Sequence, residues 1–320
     1  MGVEVLLLAD THIGFDLPLR PRIERRRRGP DFLASFERAL APALRGEVDF
    51  VVHGGDLLHR PRVPAGLVQQ AMAPLMRVAD AGVPVFLVPG NHERSHIPYP
   101  LLTLHPRIHI FREPATFLLE AGGLRIALSG FPFARRVAGV AFEELLARTR
   151  WREHDADVRL LCLHQTVEGA QVGVQNFTFL EGKDVVASEA IPAEFAAVLS
   201  GHIHRWQVMT LGLAAPVLYP GSVERTSFAE RNEEKGYLRV QLARDGLAGW
   251  TFVPLPTRPM AVVEWRGDES ELRTRLRQLS PHAVVRIDGR GRPPSTARLR
   301  ALAPATMNVS VRAPDVARRP

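Results

Sequence analysis

Short apolar runs that end in a carboxylate, amide or imidazole side chain recur along this sequence. One of them runs through Val51 and Val52 to His53, and two glycines then lead to Asp56. Apolar runs of this length, bounded by glycine and polar turn residues, predict buried β-strands. The two glycines allow close backbone approach or a positive φ angle. Ligands of open α/β sheets gather at the carboxyl ends of strands, so we expect a fold that brings several such ends together.

The predicted elements divide the chain into two parts. The pattern over residues 3–88 predicts a strand–helix–strand–helix–strand unit, which favours parallel strands joined by helical crossovers. The later pattern, up to a hairpin over residues 236–253, is closer to a meander. We therefore predict an α/β fold in which two mixed sheets pack together with helices on the outside. Beyond the proline-rich segment 254–259 a small α/β unit is predicted, so we expect domains at residues 1–253 and 254–320.

The residues at the predicted strand ends are of types that bind metal ions. In chain order they are Asp10, His12, Asp56, Asn91, His92, His164, His202 and His204. In Asp-x-His and His-x-His, residues two apart on an extended segment point the same way, so each pair can offer two ligands to one point. Imidazole, carboxylate and amide oxygen together suit Mn, Fe or Zn. Each fragment alone is also typical of an ordinary turn or a structural histidine, whereas their joint occurrence favours a metal site.

The size of this set indicates two metal ions rather than one. Without His92 the set contains seven candidate ligands, which are too many for one tetrahedral site. They suit two ions that share a bridging carboxylate. Such a pair would clamp a phosphate and activate a water for in-line attack. His92 directly follows a candidate ligand, so we expect its ring to point into the site. There it could stabilise the reacting phosphate or protonate the leaving oxygen.

These fragments together resemble the signature of the calcineurin-like metallophosphoesterases. In chain order they are Asp10-x-His12, Gly55-Asp56, Gly90-Asn91-His92-Glu93, His164 and Gly201-His202-x-His204. The resemblance covers most of residues 1–253 and implies a four-layer sandwich of two mixed sheets flanked by helices. It implies two ligand sets, which are Asp10, His12, Asp56 and His204 for one metal, and Asp56, Asn91, His164 and His202 for the other. Glu93 stands where that family more often has aspartate, and we expect only an altered contact to His92.

Within that superfamily the sequence is most similar to the SbcD-type DNA repair exonuclease subunits. The similarity lies in Gly55-Asp56-Leu57-Leu58-His59, in Gly201-His202-Ile203-His204-Arg205 and in the stretch from Pro220 to Phe228. Thr257-Arg258-Pro259, which opens the small C-terminal unit, resembles the start of that family's capping domain. By this resemblance His59 lies beside the active site and helps to position a DNA end. The alternative is that His59 is an ordinary loop residue.

The charge of the chain agrees with an anionic partner. The formal net charge is +7 and the pI is about 10.5, a balance typical of proteins that bind nucleic acid. Lysine occurs only at Lys183 and Lys235, so the basic charge is almost all arginine, which a biased genome composition would also produce. The arginines expected to contact DNA phosphates are Arg20, Arg22, Arg25, Arg26, Arg27, Arg28, Arg60, Arg62, Arg94 and Arg205. The alternative for Arg25 to Arg28 is a solvated stretch before a helix.

The sequence and the resemblance together predict a two-metal phosphodiesterase that acts on DNA. The resemblance implies a 3′→5′ exonuclease with endonuclease activity, and Mn²⁺ is the expected ion. The alternatives are an enzyme of the same fold that hydrolyses cyclic nucleotides or other small phosphoesters, and a scaffold that binds nucleic acid without catalysis. An SbcC-type SMC-like ATPase is an implied partner, although no pair of docking helices follows the C-terminal unit; a homodimer is a further possibility.

The remaining sequence features predict a cytoplasmic protein. The sequence contains no run of eighteen apolar residues, which a membrane span would need, and the first residues lack the pattern of a signal peptide. The single cysteine, Cys162, lies in a predicted buried strand and cannot form an internal disulfide.

Overall fold

The computed structural model describes residues 2–16, 27–93, 105–210, 212–289 and 293–312. In chain order the strands are β1 (Val3–Leu8), β2 (Phe50–His53), β3 (Val85–Leu87), β4 (Ile108–Ile110), β5 (Ala115–Ala121), β6 (Leu124–Gly130), β7 (Val158–Leu163), β8 (Thr166–Val167), β9 (Gln171–Val172), β10 (Phe177–Thr178), β11 (Val185–Val186), β12 (Ala197–Ser200), β13 (Gln207–Met209), β14 (Val217–Tyr219), β15 (Gly236–Ala243), β16 (Gly246–Pro254), β17 (Met260–Trp265), β18 (Val284–Gly289) and β19 (Asn308–Val311).

The α-helices lie between these strands, and the first two are the helical crossovers predicted over residues 3–88. They are α1 (Gly29–Leu44), α2 (Ala65–Asp80), α3 (Val140–Arg148), α4 (Glu269–Gln278) and α5 (Thr296–Leu302). Short 3-10 helices occur at Trp151–Glu153, Ser188–Ala190 and Phe228–Glu230. Within the described ranges, no helix is both long and apolar enough to cross a membrane.

Two six-stranded mixed sheets form the main part of the molecule, as predicted. The first sheet has the order β16-β15-β1-β2-β3-β4, and the second has the order β13-β14-β12-β7-β6-β5. Strands β1 to β4 are parallel, whereas β15 runs antiparallel to β1. In the second sheet β6, β7, β12 and β14 are parallel. The parallel strands of each sheet therefore present their carboxyl ends at one edge.

The alternation of side chains along β1 shows how the layers are stacked. Val3, Val5 and Leu7 belong to the core between the two sheets, while Leu6 and Leu8 pack in the core under α1 and α2. This alternation follows from the period of two residues along a strand. The helix α3 covers the outer face of the second sheet through a third core. The result is the predicted sandwich of helices, sheet, sheet and helices.

The two sheets come into backbone contact at one pair of glycines. A Cβ atom on Gly201 would lie 2.2 Å from the carbonyl oxygen of Gly54, which excludes any larger residue. Gly54 follows β2 and Gly201 follows β12, so the carboxyl ends of strands from both sheets meet here. The neighbouring Gly55 has a φ of 105°, a conformation that glycine adopts without steric cost. The double glycine therefore has both predicted uses: Gly54 allows close backbone approach, and Gly55 adopts a positive φ angle.

The C-terminal unit, defined here as residues 260–311, has its own sheet and core. Strands β17, β18 and β19 form a three-stranded parallel sheet. Helices α4 and α5 contribute Leu272, Leu276, Leu299 and Leu302 to a separate hydrophobic cluster with this sheet. Asp268 caps α4 by accepting hydrogen bonds from the backbone amides of Ser270 and Glu271, which explains where this helix begins.

Arg258 attaches this unit to the main part of the molecule. Its guanidinium group lies 3.1 Å from Asp31 of α1. The same group donates hydrogen bonds to the His282 carbonyl at 2.6 Å and to the Asn308 side chain at 2.7 Å. The Arg258 side chain is only 11% exposed, so these bonds are shielded from water. Arg225 of the main part adds a second link, because its guanidinium group donates a hydrogen bond of 2.7 Å to the hydroxyl of Thr257, just before the C-terminal unit.

We expect Arg258→Ala to loosen the C-terminal unit. Several hydrogen bonds from one charged and largely buried group are lost, so the free energy of unfolding should fall by about 2 kcal/mol. Hydrogen exchange should accelerate in β17 to β19 and not in β1 to β4. Arg266→Ala is the control, because Arg266 is an exposed arginine of the same unit that pairs with Glu264. Exchange in β17 to β19 that is as slow as in the wild type would contradict this role of Arg258.

Candidate metal centre

The segments that follow β1 and β2 are joined by backbone hydrogen bonds. The amide of Asp10 donates to the carbonyl of Gly55 at 2.9 Å, and the amide of His12 donates to the carbonyl of Asp56 at 2.9 Å. These bonds extend the pairing of the parallel strands beyond their ends. They hold Asp10, His12 and Asp56 side by side at the edge where the two sheets meet.

The backbone at these positions is in an unfavourable conformation. Asp10, His12 and Asp56 have φ angles of 52°, 44° and 52°, and His202 has a φ of 86°. A residue with a Cβ atom pays roughly 1–2 kcal/mol for the left-handed region. Such conformations cluster at functional sites, where the surrounding structure holds them in place. The strain therefore marks this turn region as a site.

Asp10, His12 and His204 form one group of electron-pair donors. One ligand atom from each of them lies within 4.8 Å of the others. The Nε2 atoms of His12 and His204 are 3.0 Å apart, and Nε2 of His204 is 3.8 Å from Oδ1 of Asp10. His12 and Asp10 are buried, and His204 is largely so. These three side chains converge on one point.

Asn91, His164 and His202 form a second group. Oδ1 of Asn91 lies 3.0 Å from Nε2 of His164 and 2.9 Å from Nδ1 of His202. The His164 ring is fixed by a hydrogen bond of 2.6 Å from its Nδ1 to the Gly54 carbonyl. Nε2 of His164 therefore presents its lone pair to the cluster when the ring is neutral.

Asp56 lies between the two groups. Its Oδ2 atom is 3.4 Å from Nε2 of His164 and 3.9 Å from Nε2 of His12. Its Oδ1 atom accepts a hydrogen bond of 2.9 Å from the backbone amide of His92. One carboxylate oxygen is thus within reach of both donor groups. The structure brings together all seven residues that were expected to be ligands.

The chemistry of this cluster fits divalent metal ions. The donors are imidazole nitrogens and carboxylate or amide oxygens, with no thiolate among them. Burial and the neighbouring His204 lower the pKa of His12 well below its ordinary value, which keeps its lone pair available. Burial alone would also lower the pKa of His164, but the Asp56 carboxylate outweighs it and raises this pKa to about 9. A divalent cation can take the place of that proton.

His92 and His59 lie next to the cluster and contact each other. Nδ1 of His92 bonds to the carbonyl of His59 at 2.7 Å, and Nε2 of His92 lies 3.9 Å from Oδ2 of Asp56. The His59 ring approaches His12, with 3.4 Å between their Nδ1 atoms, and lies against the ring of Phe15. Burial and the neighbouring His92 lower the pKa of His59 to about 4. Both rings thus stand where the sequence reasoning expected them.

Glu93 contacts other groups than the expected ones. We expected an altered contact to His92, but the Glu93 carboxylate accepts hydrogen bonds from the backbone amides of Leu58 at 3.0 Å and Gly90 at 2.6 Å. Glu93 is buried and joins the loop after β2 to the loop after β3. The Glu93 side chain therefore holds two ligand-bearing loops together. The His92 ring is hydrogen-bonded to the His59 carbonyl instead.

The arginines expected to contact DNA divide into three kinds. Arg20, Arg22, Arg25, Arg26 and Arg94 lie outside the described residues. Arg28 and Arg205 are engaged inside the protein: Arg28 pairs with Glu224 at 3.3 Å, and Arg205 pairs with Glu233 at 3.1 Å. Contact of these two guanidinium groups with DNA would compete with these ion pairs, and it stays a prediction from the sequence. Of the others, Arg27 and Arg62 are exposed, and Arg60 is partly exposed beside His59.

Sequence reasoning missed a buried ionic group that touches the centre. The side chain of Glu230 lies 3.3 Å from Nδ1 of His204 and 2.7 Å from the ammonium group of Lys235. Burial would raise the pKa of Glu230, but the hydrogen bond to His204 and the charge of Lys235 lower it well below its ordinary value. The available signal was Lys235 itself, one of two lysines in an arginine-rich chain.

Aromatic and basic side chains border the centre on two sides. The ring of Phe133 lies 5.6 Å from that of His202 and was also missed, because nothing in its sequence neighbourhood suggested a role. On the other side a cleft of about 770 Å³ separates the main part from the C-terminal unit. Its lining includes Phe15, Arg28, Thr226, Phe228, Met260 and Arg300. Thr226 contacts His204 at 3.1 Å, so the cleft leads to the cluster.

Comparison with known proteins agrees with this geometry. Residues 3–206, more than half of the chain, match the family model described as calcineurin-like phosphoesterase. The DNA double-strand break repair protein Mre11 of Haloferax volcanii is 34% identical over 296 residues, which are 90% of this chain and 61% of that protein. The protein of the same name from Aeropyrum pernix is 30% identical over 280 residues, which are 82% of this chain and 63% of that protein. The chain thus spans less than two thirds of the length of these curated relatives.

His53 supports the turn from the opposite side and makes stability depend on pH. Its Nδ1 accepts from the Gly55 amide at 3.2 Å, and its Nε2 contacts the Thr11 hydroxyl at 3.1 Å. The Thr11 hydroxyl donates to the Leu57 carbonyl, so Nε2 carries the hydrogen and the ring is neutral. Burial first, and then the neighbouring His164, lower the pKa of His53 to about 3.

We expect His53 to destabilise the fold in acid. The unfolded chain takes up a proton on this ring below a pH of about 6.5, whereas the folded chain does not until a pH of about 3. Between these values the free energy of unfolding should therefore fall as pH falls, by up to about 1.4 kcal/mol per pH unit from this ring. Urea unfolding of the wild type and of His53→Gln at pH 7, 6, 5 and 4 measures the difference. Equal slopes for the two proteins would contradict the account.

Proposed function

The chain belongs to the calcineurin-like phosphoesterase family, and from that premise we propose that it is a two-metal phosphodiesterase that acts on DNA. The observation that carries the proposal is the position of Asp56. Its Oδ2 atom lies within 4 Å of nitrogen ligands in both donor groups, as a shared carboxylate must. An aspartate that only stabilises a turn would bond to nearby backbone amides and would not require imidazole nitrogens on two sides.

We propose that each donor group holds one divalent metal ion. Asp10, His12, Asp56 and His204 would hold the first, and Asp56, Asn91, His164 and His202 would hold the second. Mn²⁺ is the ion we propose; it is one of the three ions, with Fe and Zn, that a mixed set of imidazole, carboxylate and amide ligands suits. When bound, such a pair supplies Lewis-acid activation of the phosphodiester and of the attacking water. The strained turns at Asp10, His12 and Asp56 fix the donors before any ion arrives.

His92 is the proposed acid for the leaving oxygen. The N–H group at Nδ1 of His92 donates a hydrogen bond to the His59 carbonyl, and this bond fixes the plane of the ring. In the imidazolium form Nε2 also carries a hydrogen, and this atom faces the side of Asp56. His92 can therefore donate from Nε2 to the leaving oxygen while Nδ1 keeps its bond. Its partial exposure leaves room for a substrate to reach it.

DNA is the substrate that we propose, with 3′→5′ exonuclease and endonuclease activity. Relatives named for DNA double-strand break repair support this choice, as does the net positive charge. The cleft beside Thr226 provides room for a polymer chain next to the cluster. We also propose that residues 254–320 are a separate capping domain, which is supported by the independent sheet and core of the C-terminal unit. Partnership with an SbcC-type ATPase stays a prediction from the resemblance.

A substrate panel tests the choice of DNA. End-labelled duplex and single-stranded DNA, bis-p-nitrophenyl phosphate and cyclic nucleotides should be incubated with the protein and Mn²⁺. We expect shortening of DNA from its 3′ ends, and we expect chelation with EDTA to abolish it, because the donors alone cannot activate water. Asp56→Asn should be inactive on every substrate. Hydrolysis of the small esters with intact DNA would instead support the small-phosphoester alternative.

The role of His59 can be separated from the chemistry. His59→Ala keeps the backbone carbonyl that holds His92, so metal binding and hydrolysis of bis-p-nitrophenyl phosphate should remain close to wild type. Digestion of DNA ends should slow by roughly 10- to 100-fold, because the side chain that positions the end is lost. The small ester serves as the internal control. Undiminished digestion of DNA ends would make His59 an ordinary loop residue.

A further inference from the structure

His164 and His204, whose Nδ1 atoms both point away from the cluster, are held by different kinds of acceptor. His164 uses the backbone carbonyl of Gly54. His204 instead faces the buried carboxylate of Glu230, with Oε1 of Glu230 3.3 Å from Nδ1. A carboxylate behind a metal-binding imidazole fixes the ring, selects the tautomer and makes the opposite nitrogen a stronger donor. Glu230 has the position for that task.

The groups around Glu230 hold its carboxylate in one orientation. Its Oε1 atom accepts from the hydroxyl of Thr226 at 2.5 Å and from that of Ser227 at 3.2 Å. Its Oε2 atom pairs with Lys235 at 2.7 Å. Because the Thr226 hydroxyl donates to Glu230, the Thr226 oxygen can also accept from Nδ1 of His204. The carboxylate therefore cannot rotate away from the ring without losing several bonds.

Lys235 supplies the charge that makes this arrangement stable. The ammonium group is completely buried and bonds to Glu230, to Glu233 at 3.2 Å and to the carbonyl of His204 at 2.8 Å. These are three acceptors for three hydrogens, so no donor is left unsatisfied. Lys235 thus holds the backbone of His204 directly and its side chain through Glu230.

We propose that Glu230 is a positioning residue that aims Nε2 of His204 at the metal centre. With Nδ1 bonded to Glu230, the lone pair of Nε2 faces Asp10 at 3.8 Å and His12 at 3.0 Å. This inference rests on the proposed function, because it assigns Glu230 a role toward the ion held by Asp10, His12 and His204. Glu230 contacts the centre only through His204 and is not itself one of the donors.

Glu233 provides a matched control. It also pairs with the buried Lys235, but among the described residues its other side-chain partner is Arg205 rather than the ring of His204. Glu230→Gln and Glu233→Gln each remove one carboxylate from Lys235, so both should lower the melting temperature. Only the substitution at Glu230 should also weaken metal binding. The pair therefore separates a loss of stability from a loss of positioning.

Calorimetric titration of the full chain with Mn²⁺ tests the inference without any activity measurement. The wild type should bind two ions. Glu230→Ala should weaken one of them by about 10- to 100-fold, as loss of such a partner does elsewhere, and leave the other unchanged. Glu230→Gln, which keeps an amide oxygen for Nδ1, should weaken the same ion less, and Glu233→Gln should weaken neither.

Three results would overturn the inference, and they can be distinguished from one another. Unchanged binding of both ions by Glu230→Ala, or equal weakening in Glu230→Ala and Glu233→Gln, would reduce Glu230 to a structural partner of Lys235 and leave the proposed function intact. A wild type that binds no Mn²⁺ would overturn the metal centre itself and the inference with it.

Discussion

The backbone contact between Gly54 and Gly201 brings the ligand-bearing ends of two separate sheets together. Asp10, His12 and Asp56 extend from the first sheet, and His164 and His202 extend from the second. A side chain on either glycine would clash with the other sheet, since a Cβ on Gly201 would meet the Gly54 oxygen at 2.2 Å and a Cβ on Gly54 would meet the Gly201 nitrogen at 2.8 Å. The shared position of Asp56 depends on this contact, because its carboxylate must reach donors from both sheets.

The centre concentrates strain and charge that the rest of the fold must offset. Four residues of the cluster have positive φ angles, each at a cost of order 1–2 kcal/mol. They are held by backbone bonds between adjacent loops, by the Glu93 carboxylate and by the neutral ring of His53. Imidazoles crowd around two buried carboxylates, which is an arrangement that a divalent cation stabilises. The surroundings of the centre thus act chiefly to keep donors in place before an ion binds.

Much of the fold and of the centre could be predicted from the sequence, because both depend on local patterns. The apolar runs before Asp10, His164 and His202 indicated strands. A ligand-type residue at each strand end then indicated a common site. What could not be predicted depends on contacts between distant segments. Glu230 reaches His204 across 26 positions, and Arg28 reaches Glu224 across 196, so nothing local distinguishes these residues from surface charges.

The partners of Arg28, Arg205 and Glu93 could not be predicted for the same physical reason. Arg28 and Arg205 were expected to contact DNA because phosphate contacts need arginine, and only the tertiary structure shows that each has a carboxylate partner within the protein. Glu93 was expected to make an altered contact to His92 because the family that the sequence resembles more often has aspartate at this position. Its side chain is long enough to reach two backbone amides on the opposite side instead.

The central claim is that Asp56 is shared by two metal ions, and diffraction at the manganese absorption edge from crystals soaked in Mn²⁺ tests it most directly. The account predicts two anomalous peaks about 3.5–4 Å apart on either side of the Asp56 carboxylate. One should lie among Asp10, His12 and His204, and the other among Asn91, His164 and His202. A single peak, or peaks that do not flank Asp56, would contradict the account.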